Sequence, residues 1–224
     1  MVIVAGGSSR RMGFDKLTAD LEGRPVLAWS VAAFNECPAI DAIALVCSAV
    51  AREELESIAR LSAPRKLRAV IEGGAHRQYS VAAGLEQVPR EAAMIAVHDA
   101  ARPLVTCGMI ESCLEAARNT GAAACGRPVS DTLKRVNGEG FIVESVGREH
   151  LWAVETPQIF RADLLRIAYA EVIASGAHVT DETSAVQAAG APVALVATAE
   201  WNGKITFASD LELARLIVRG RAAG

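Results

Sequence analysis

The chain has 224 residues, of which 51% are hydrophobic and 22% charged, which suits one core and one domain. A formal net charge of −3 and an isoelectric point near 5.9 exclude a general nucleic-acid binder, which would carry a basic surplus. Five cysteines (Cys37, Cys47, Cys107, Cys113 and Cys125) form no C-x-x-C pair, and no apolar run is long enough for a membrane span. A reduced, soluble, cytoplasmic protein is expected, with no disulfide or zinc framework and no leader before the first strand.

Val2–Ala5 reads as a short buried strand running into Gly6-Gly7-Ser8-Ser9-Arg10-Arg11-Met12-Gly13-Phe14-Asp15-Lys16. Small residues let backbone N–H groups surround an anion, and the cations beyond neutralise a polyphosphate. The spacing fits neither the ATPase P-loop nor the G-x-G-x-x-G dinucleotide turn. A nucleotide cradle of a third kind is therefore expected at Ala5, Gly6, Gly7 and Ser8. A helix over Pro25–Asn35, a strand over Ala42–Ser48, a helix over Arg52–Leu61 and a strand over Leu67–Ile71 follow. Gly73-Gly74-Ala75-His76-Arg77-Gln78-Tyr79-Ser80 is a second glycine turn opening a helix over Gln78–Gln87. Its N–H groups and the positive helix end suit a phosphate or a base edge.

Next comes a strand over Ala93–His98 and then Asp99-Ala100-Ala101-Arg102-Pro103. An aspartate at a strand end beside small residues can reach a sugar hydroxyl or a metal such as Mg²⁺. His98 reads as a structural group and not a general base, because nothing nearby supplies a matching nucleophile. Thr106 would cap a helix over Met109–Arg118, and Ala122–Pro128 is the next strand. Asp131–Val136 and Phe141–Val146 flank Asn137-Gly138-Glu139-Gly140, the signal of a hairpin. This excursion, residues 130–156, has no helix to cover it and would be safest against a partner subunit.

Helices over Ala162–Ala174 and Asp181–Ala189, a strand over Val193–Thr198 and a helix over Asp210–Arg219 capped by Ser209 complete the order. Thr156-Pro157-Gln158 and Thr180-Asp181-Glu182 read locally as a turn and a helix cap. Lys204, on a short apolar strand in Asn202-Gly203-Lys204-Ile205-Thr206, needs an anionic neighbour or an exit to water. Continuous apolar runs such as Ile43–Cys47 imply strands covered on both faces. The expected fold is α/β and Rossmann-like: an open, mainly parallel sheet, helices on both faces and a protruding β-hairpin arm. Ligands then gather at the carboxyl ends of the strands.

Taken together, Gly6–Gly13, His98-Asp99-Ala100-Ala101-Arg102-Pro103, Asp131-Thr132, Thr156-Pro157-Gln158, Thr180-Asp181-Glu182 and Asn202–Thr206 resemble, in order and over essentially the whole chain, the 2-C-methyl-D-erythritol 4-phosphate cytidylyltransferases. The resemblance implies transfer of a cytidylyl group from CTP to 2-C-methyl-D-erythritol 4-phosphate in the non-mevalonate isoprenoid pathway, with Mg²⁺, by a homodimer joined through the arm. It implies that Arg11 and Lys16 stabilise the transition state and that Arg148 and Lys204 position the acceptor phosphate. Asp99, Arg102, Thr132, Thr156 and Thr180 fall where the family contacts the methylerythritol moiety or, at Asp99, the metal. Gly73, Gly74, Arg77 and Ser80 fall in the nucleotide part of the site. One departure is that Asp15 precedes Lys16 and Leu17 follows, a form similar to nucleotidyltransferases acting on molybdopterin or sugar phosphates. Cytidylyl transfer to another polyol phosphate, such as ribitol 5-phosphate, and an inactive nucleotide-binding module are the alternative readings.

Overall fold

A computed structural model describes residues 1–6 and 15–223. In chain order the elements are β1 (Val2–Ala5), β2 (Asp20–Leu21), β3 (Arg24–Pro25), α1 (Val26–Glu36), β4 (Ile43–Cys47), α2 (Arg52–Ser62), β5 (Leu67–Glu72), α3 (Arg77–Glu86) and β6 (Met94–Asp99). The second half adds α4 (Cys107–Thr120), β7 (Ala122–Pro128), β8 (Leu133–Val136), β9 (Ile142–Val146), β10 (Trp152–Arg161), α5 (Ala162–Ser175), α6 (Glu182–Ala188), β11 (Ala194–Ala197) and α7 (Ala208–Ala223).

Seven strands form one sheet in the order β11-β7-β10-β6-β1-β4-β5. All pair in parallel except β10, which runs antiparallel to both β6 and β7. Because side chains alternate across a strand, Ile3 and Ala5 join α1, α2, α4 and α7 on one face, while Val2 joins α3, α5 and α6 on the other. Two apolar cores therefore sandwich the sheet. Gly84 shows how closely a helix lies on it: a Cβ there would stand 2.5 Å from Val2 Cγ1. Gly121, at φ +91°, ends α4 in the left-handed region and turns the chain straight into β7.

Strand β10 has no counterpart in the expected element order. Its centre carries Pro157, with a cis Thr156–Pro157 bond, and its register to β7 shifts between Val154 and Gln158. Proline lacks a ladder donor and argues against an interior strand; the register shift is how the strand accommodates it. Residues 152–156, expected in the arm, belong to this strand, where Trp152 pairs with Pro128 and Val154 with Gly126.

The hairpin forms as expected. Leu133 pairs with Val146 and Arg135 with Glu144, and Asn137 Oδ1 accepts from the N–H groups of Glu139 and Phe141 to close the turn. Val136, Phe141, Ile142 and Val143 are 55–67% exposed along it. One cap expectation changes. Ser209 lies inside α7, and it is Asp210 whose carboxylate accepts from the N–H groups of Thr206 and Phe207. Asp181 caps α6, accepting from Ser184 N–H at 3.0 Å. Among the described residues no helix is long and apolar enough to cross a membrane.

Candidate active site

Strands β1 and β6 lie side by side and end at the same edge, so Gly6 and Asp99 open into one space. The turn after β5 closes its flank: a Cβ on Gly73 would stand 2.5 Å from Ser80 Oγ, and one on Gly74 would collide with Tyr79 Cβ. Only glycine lets this turn lie flat against the start of α3. Among the described residues no side chain caps α3 at His76, and its positive end faces the same space. The result is a pocket of about 150 Å³ lined by Val4, Ala5, Gly6, Lys16, Leu17, Gly74, Ala75, His76, Arg77, Ser80, Asp99, Ala101 and Lys204.

A second pocket, of about 250 Å³, is lined by Arg77, Asp99, Arg102, Val154, Glu155, Thr156, Gln158, Thr180, Asp181 and Lys204. Arg77, Asp99 and Lys204 line both, so they form the wall between the two spaces. Of the residues expected to hold nucleotide, Ala5, Gly6, Gly74 and Ser80 line the first pocket only, whereas Arg102, Thr156 and Thr180 line the second only.

The wall is a charge cluster. Asp99 Oδ2 lies 2.9 Å from Lys204 Nζ and 3.8 Å from Arg102 Nε, and Oδ1 lies 3.2 Å from Arg77 Nη2. Burial alone would raise the Asp99 carboxyl; Lys204, Arg77 and Arg102 outweigh it and hold it well below the usual carboxylate range. Arg77 also forms a bidentate pair with Glu182, Nη2 to Oε2 at 3.0 Å, and Tyr169 Oη donates to Glu182 Oε1 at 2.8 Å. Burial pulls the Arg77 guanidinium down, but Glu182 and Asp99 raise it overall, so it stays charged. The short strand expected around Lys204 does not form, since residues 202–206 lie between β11 and α7 outside any element, but Lys204 still meets an anionic neighbour, Asp99.

His98 is wholly buried, and its role is structural. Its Nε2 lies 3.1 Å from Arg102 O, which can only accept, so Nε2 carries the proton. Thr156 Oγ1 accepts from Asp99 N–H at 3.1 Å and donates to His98 Nδ1 at 2.9 Å. Burial pushes the imidazole down to about 3, and it remains neutral at physiological pH. One hydroxyl on β10 thus fixes both the orientation of His98 and the backbone of Asp99.

Gly7, Ser8 and Arg11 lie outside the described residues. Arg148 and Thr132 lie at the base of the arm and line neither pocket; Arg148 Nη1 donates to Ser130 O. The local carboxylate Glu144 is taken by Arg135. Sequence reasoning passed over Glu182, Tyr169 and Asn202. Glu182, directly after Asp181 at the start of a half-buried helix, carried a usable signal, since a buried carboxylate demands a cation. Asn202 donates Nδ2–H to Thr156 O at 2.7 Å, and its carbonyl accepts from Arg102 Nη1 at 2.9 Å, tying the Lys204 segment to β6 and β10.

Mg²⁺ at Asp99 fits this arrangement poorly. Both carboxylate oxygens are engaged by cations, and Glu182 is engaged by Arg77 and Tyr169. An ion held by the protein there would sit among three positive side chains, so the described residues do not fit a protein-held Mg²⁺.

A glycine cradle, a cationic wall and a strand-end aspartate on the carboxyl edge of a mostly parallel sheet define a nucleotidyltransferase of the α/β class. Residues 1–220 match the family described as IspD: 2-C-methyl-D-erythritol 4-phosphate cytidylyltransferase. Proteins of that name from Desulforamulus reducens and Symbiobacterium thermophilum are each 39% identical over 224 residues, covering 98% and 99% of this chain and 95% and 93% of theirs. The crystal structure of 2-C-methyl-D-erythritol 4-phosphate cytidylyltransferase from Thermus thermophilus is similar at a TM-score of 0.80 and 34% identity, covering 98% of both chains. That of 4-diphosphocytidyl-2C-methyl-D-erythritol synthase from Anaerococcus prevotii, at a TM-score of 0.85 and 24% identity over 97% of this chain and 96% of its own, shares the fold. The chain belongs to the 2-C-methyl-D-erythritol 4-phosphate cytidylyltransferase family.

Proposed function

We propose that this enzyme transfers CMP from CTP to 2-C-methyl-D-erythritol 4-phosphate, giving 4-diphosphocytidyl-2-C-methyl-D-erythritol and pyrophosphate. The observation that carries the reading is the pair of pockets sharing Arg77, Asp99 and Lys204 as a wall, in a chain of this family. CTP occupies the glycine-lined side, with Ala5, Gly6, Gly7, Ser8, Gly73, Gly74, Arg77 and Ser80 around it. The acceptor occupies the side lined by Arg102, Thr156 and Thr180. An oxygen of the acceptor phosphate attacks the α-phosphorus of CTP in line; one P–O bond forms, and the bond to the β-phosphate breaks with its electron pair.

A phosphate monoester has its second pKa near 6 and is mostly ionised at neutral pH, so no protein base is required. That agrees with a neutral, fully engaged His98. The protein's task is to bring two polyanions together. Lys16 and Arg11 face the charge that develops at the α-phosphate, while Lys204 and Arg148 grip the acceptor phosphate. Mg²⁺ enters this reading as the counter-ion of the triphosphate and not as a ligand of Asp99. A second copy of the chain covers the exposed apolar face of the arm, which brings Thr132 and Arg148 of each chain to its neighbour. A cytoplasmic homodimer is the assembly proposed.

Pyrophosphate release with each of CTP, ATP, GTP and UTP, against a panel of polyol phosphates that includes ribitol 5-phosphate, tests the proposal. CTP with 2-C-methyl-D-erythritol 4-phosphate should give the highest kcat/KM. Equal turnover with GTP, or preference for another acceptor, overturns it.

A further inference from the structure

Away from both pockets, Cys37 follows directly on α1 and Cys107 opens α4. They are 70 positions apart in sequence, yet their sulfurs lie 2.7 Å from each other. Glu111 joins them, its carboxylate within 4.8 Å of both sulfurs. A shared metal would hold the sulfurs farther apart: two thiolates about 2.3 Å from a tetrahedral zinc stand about 3.8 Å from one another. Cys37 is wholly buried, and its carbonyl accepts from Lys66 Nζ at 2.6 Å; Cys107 is half-buried and open to a small reagent. We propose that Cys37 and Cys107 are a disulfide-forming pair that staples α1 to α4.

The chemistry requires an oxidant, and a low-molecular-weight disulfide such as oxidised glutathione supplies it. The Cys107 thiolate attacks one sulfur of the reagent and releases a small thiol. The deprotonated Cys37 then attacks the Cys107 sulfur of the mixed disulfide and releases a second small thiol. The protein loses two electrons and two protons, and the reagent gains both. Burial, Cys37 and Glu111 together hold the Cys107 thiol up at about 12, so the thiolate is scarce at neutral pH and closure is slow. This suits a structural staple and not a catalytic couple.

The staple would brace the loop that carries Asp99 and Arg102. On α1, Ser30 Oγ donates to Ala100 O at 2.7 Å and the Phe34 ring lies 4.8 Å from that of His98; α4 begins just beyond the same loop. Cys113 and Cys125 also touch through their thiols, but both are fully buried, as is Cys47, so all three should stay reduced and serve as the internal control.

The full-length protein, reduced and then incubated with oxidised glutathione at mildly alkaline pH, should lose two of its five thiols, counted after denaturation. Its mass should fall by about 2 Da, and proteolysis should yield one linked peptide pair spanning Cys37 and Cys107. Because a long loop is closed, the oxidised form should melt about 5–10 °C above the reduced form. Cys107→Ser should keep the activity of the reduced wild type and lose both the mass change and the oxidant-dependent rise in melting temperature. Retention of all five thiols, a stable glutathione adduct at Cys107 without closure, a link involving any other cysteine, or stoichiometric zinc that protects the pair would overturn the proposal. The peptide map on the wild type decides the matter even where a variant fails to fold.

Discussion

Replacing Asp99 by asparagine keeps the shape of the wall and removes its central negative charge. Three cations face that charge, Lys204 at 2.9 Å, Arg77 at 3.2 Å and Arg102 at 3.8 Å, and they do not lose equally. The Lys204 side chain is 41% exposed and can return its charge to water, and Arg77 keeps both bonds to Glu182. Arg102 bears the loss: its side chain is 12% exposed and, among the described residues, its Nε has no hydrogen-bond partner. Stranding a buried charge by removing its partner costs about 3–5 kcal/mol, and the two escapes place Asp99→Asn near 3 kcal/mol. For a domain of this size that is a fall in Tm of about 6–12 °C. The effect also has a sign with pH. The native Asp99 carboxyl lies below its unfolded value of about 3.9, so its contribution is fully present above that pH and is lost on acidification toward the native value. The gap between wild type and variant should therefore be constant from pH 7 to about 5 and shrink below about pH 4. Urea unfolding at pH 7 and melts across the acid range measure both. A variant within about 0.5 kcal/mol of wild type at pH 7, or a gap that widens on acidification, would refute the argument.

Thr156→Val removes the hydroxyl between His98 Nδ1 and Asp99 N–H and leaves two buried groups unpaired; a loss of about 2–3 kcal/mol in urea unfolding is expected, and an unchanged midpoint would contradict the hydrogen-bond assignment. Lys16→Ala should lower kcat roughly 10²–10³-fold, by analogy with loss of one transition-state donor. Lys204→Ala should raise the acceptor KM, lower kcat for any part of the grip made only in the transition state, and leave CTP affinity nearly unchanged. A folded Lys204→Ala protein with wild-type steady-state kinetics removes Lys204 from the site. Sedimentation should show a dimer at micromolar concentration, and deletion of residues 134–143 should give a monomer or a poorly soluble chain. A stable wild-type monomer would dismiss the arm's role.

The sheet and its helices were legible because each strand except β10 was a short apolar run and each helix an amphipathic stretch bounded by turn residues. Strand β10 was hidden by chemistry: Pro157 and its polar neighbours Thr156 and Gln158 look like a turn, and only the tertiary position shows a strand bent around a proline. The site was legible where one motif supplied a whole surface, as at Gly73-Gly74 and the segment after His98. It was opaque where partners come from distant segments. Nothing in the local pattern at Lys204 points to Asp99, 105 positions away, and nothing at Arg77 points to Glu182, also 105 positions away. A separation of 70 positions likewise hid Cys37 from Cys107.

Those distant pairings also divide the labour among the cations of the wall. Three positive side chains, Arg77, Arg102 and Lys204, crowd around two carboxylates, Asp99 and Glu182, before substrate arrives. Without the carboxylates the cations would repel one another and disperse into solvent; with them, the cations are held in place at the cost of burying two acids. An incoming phosphate dianion brings more negative charge than Asp99 offers, so a cation that is free to turn will move toward it. Arg77 is not free, because Glu182 clamps it on two nitrogens and Tyr169 fixes Glu182 from behind. Arg102 is held by the Asn202 carbonyl. Among the described residues Lys204 pairs with Asp99 alone and has the greatest exposure of the three, and its flexible four-carbon stem would let it exchange Asp99 for phosphate without disturbing the wall. Burial and partner number thus make the arginines the fixed frame of the wall, and the proposed grip of Lys204 on the acceptor phosphate requires the lysine alone to leave Asp99.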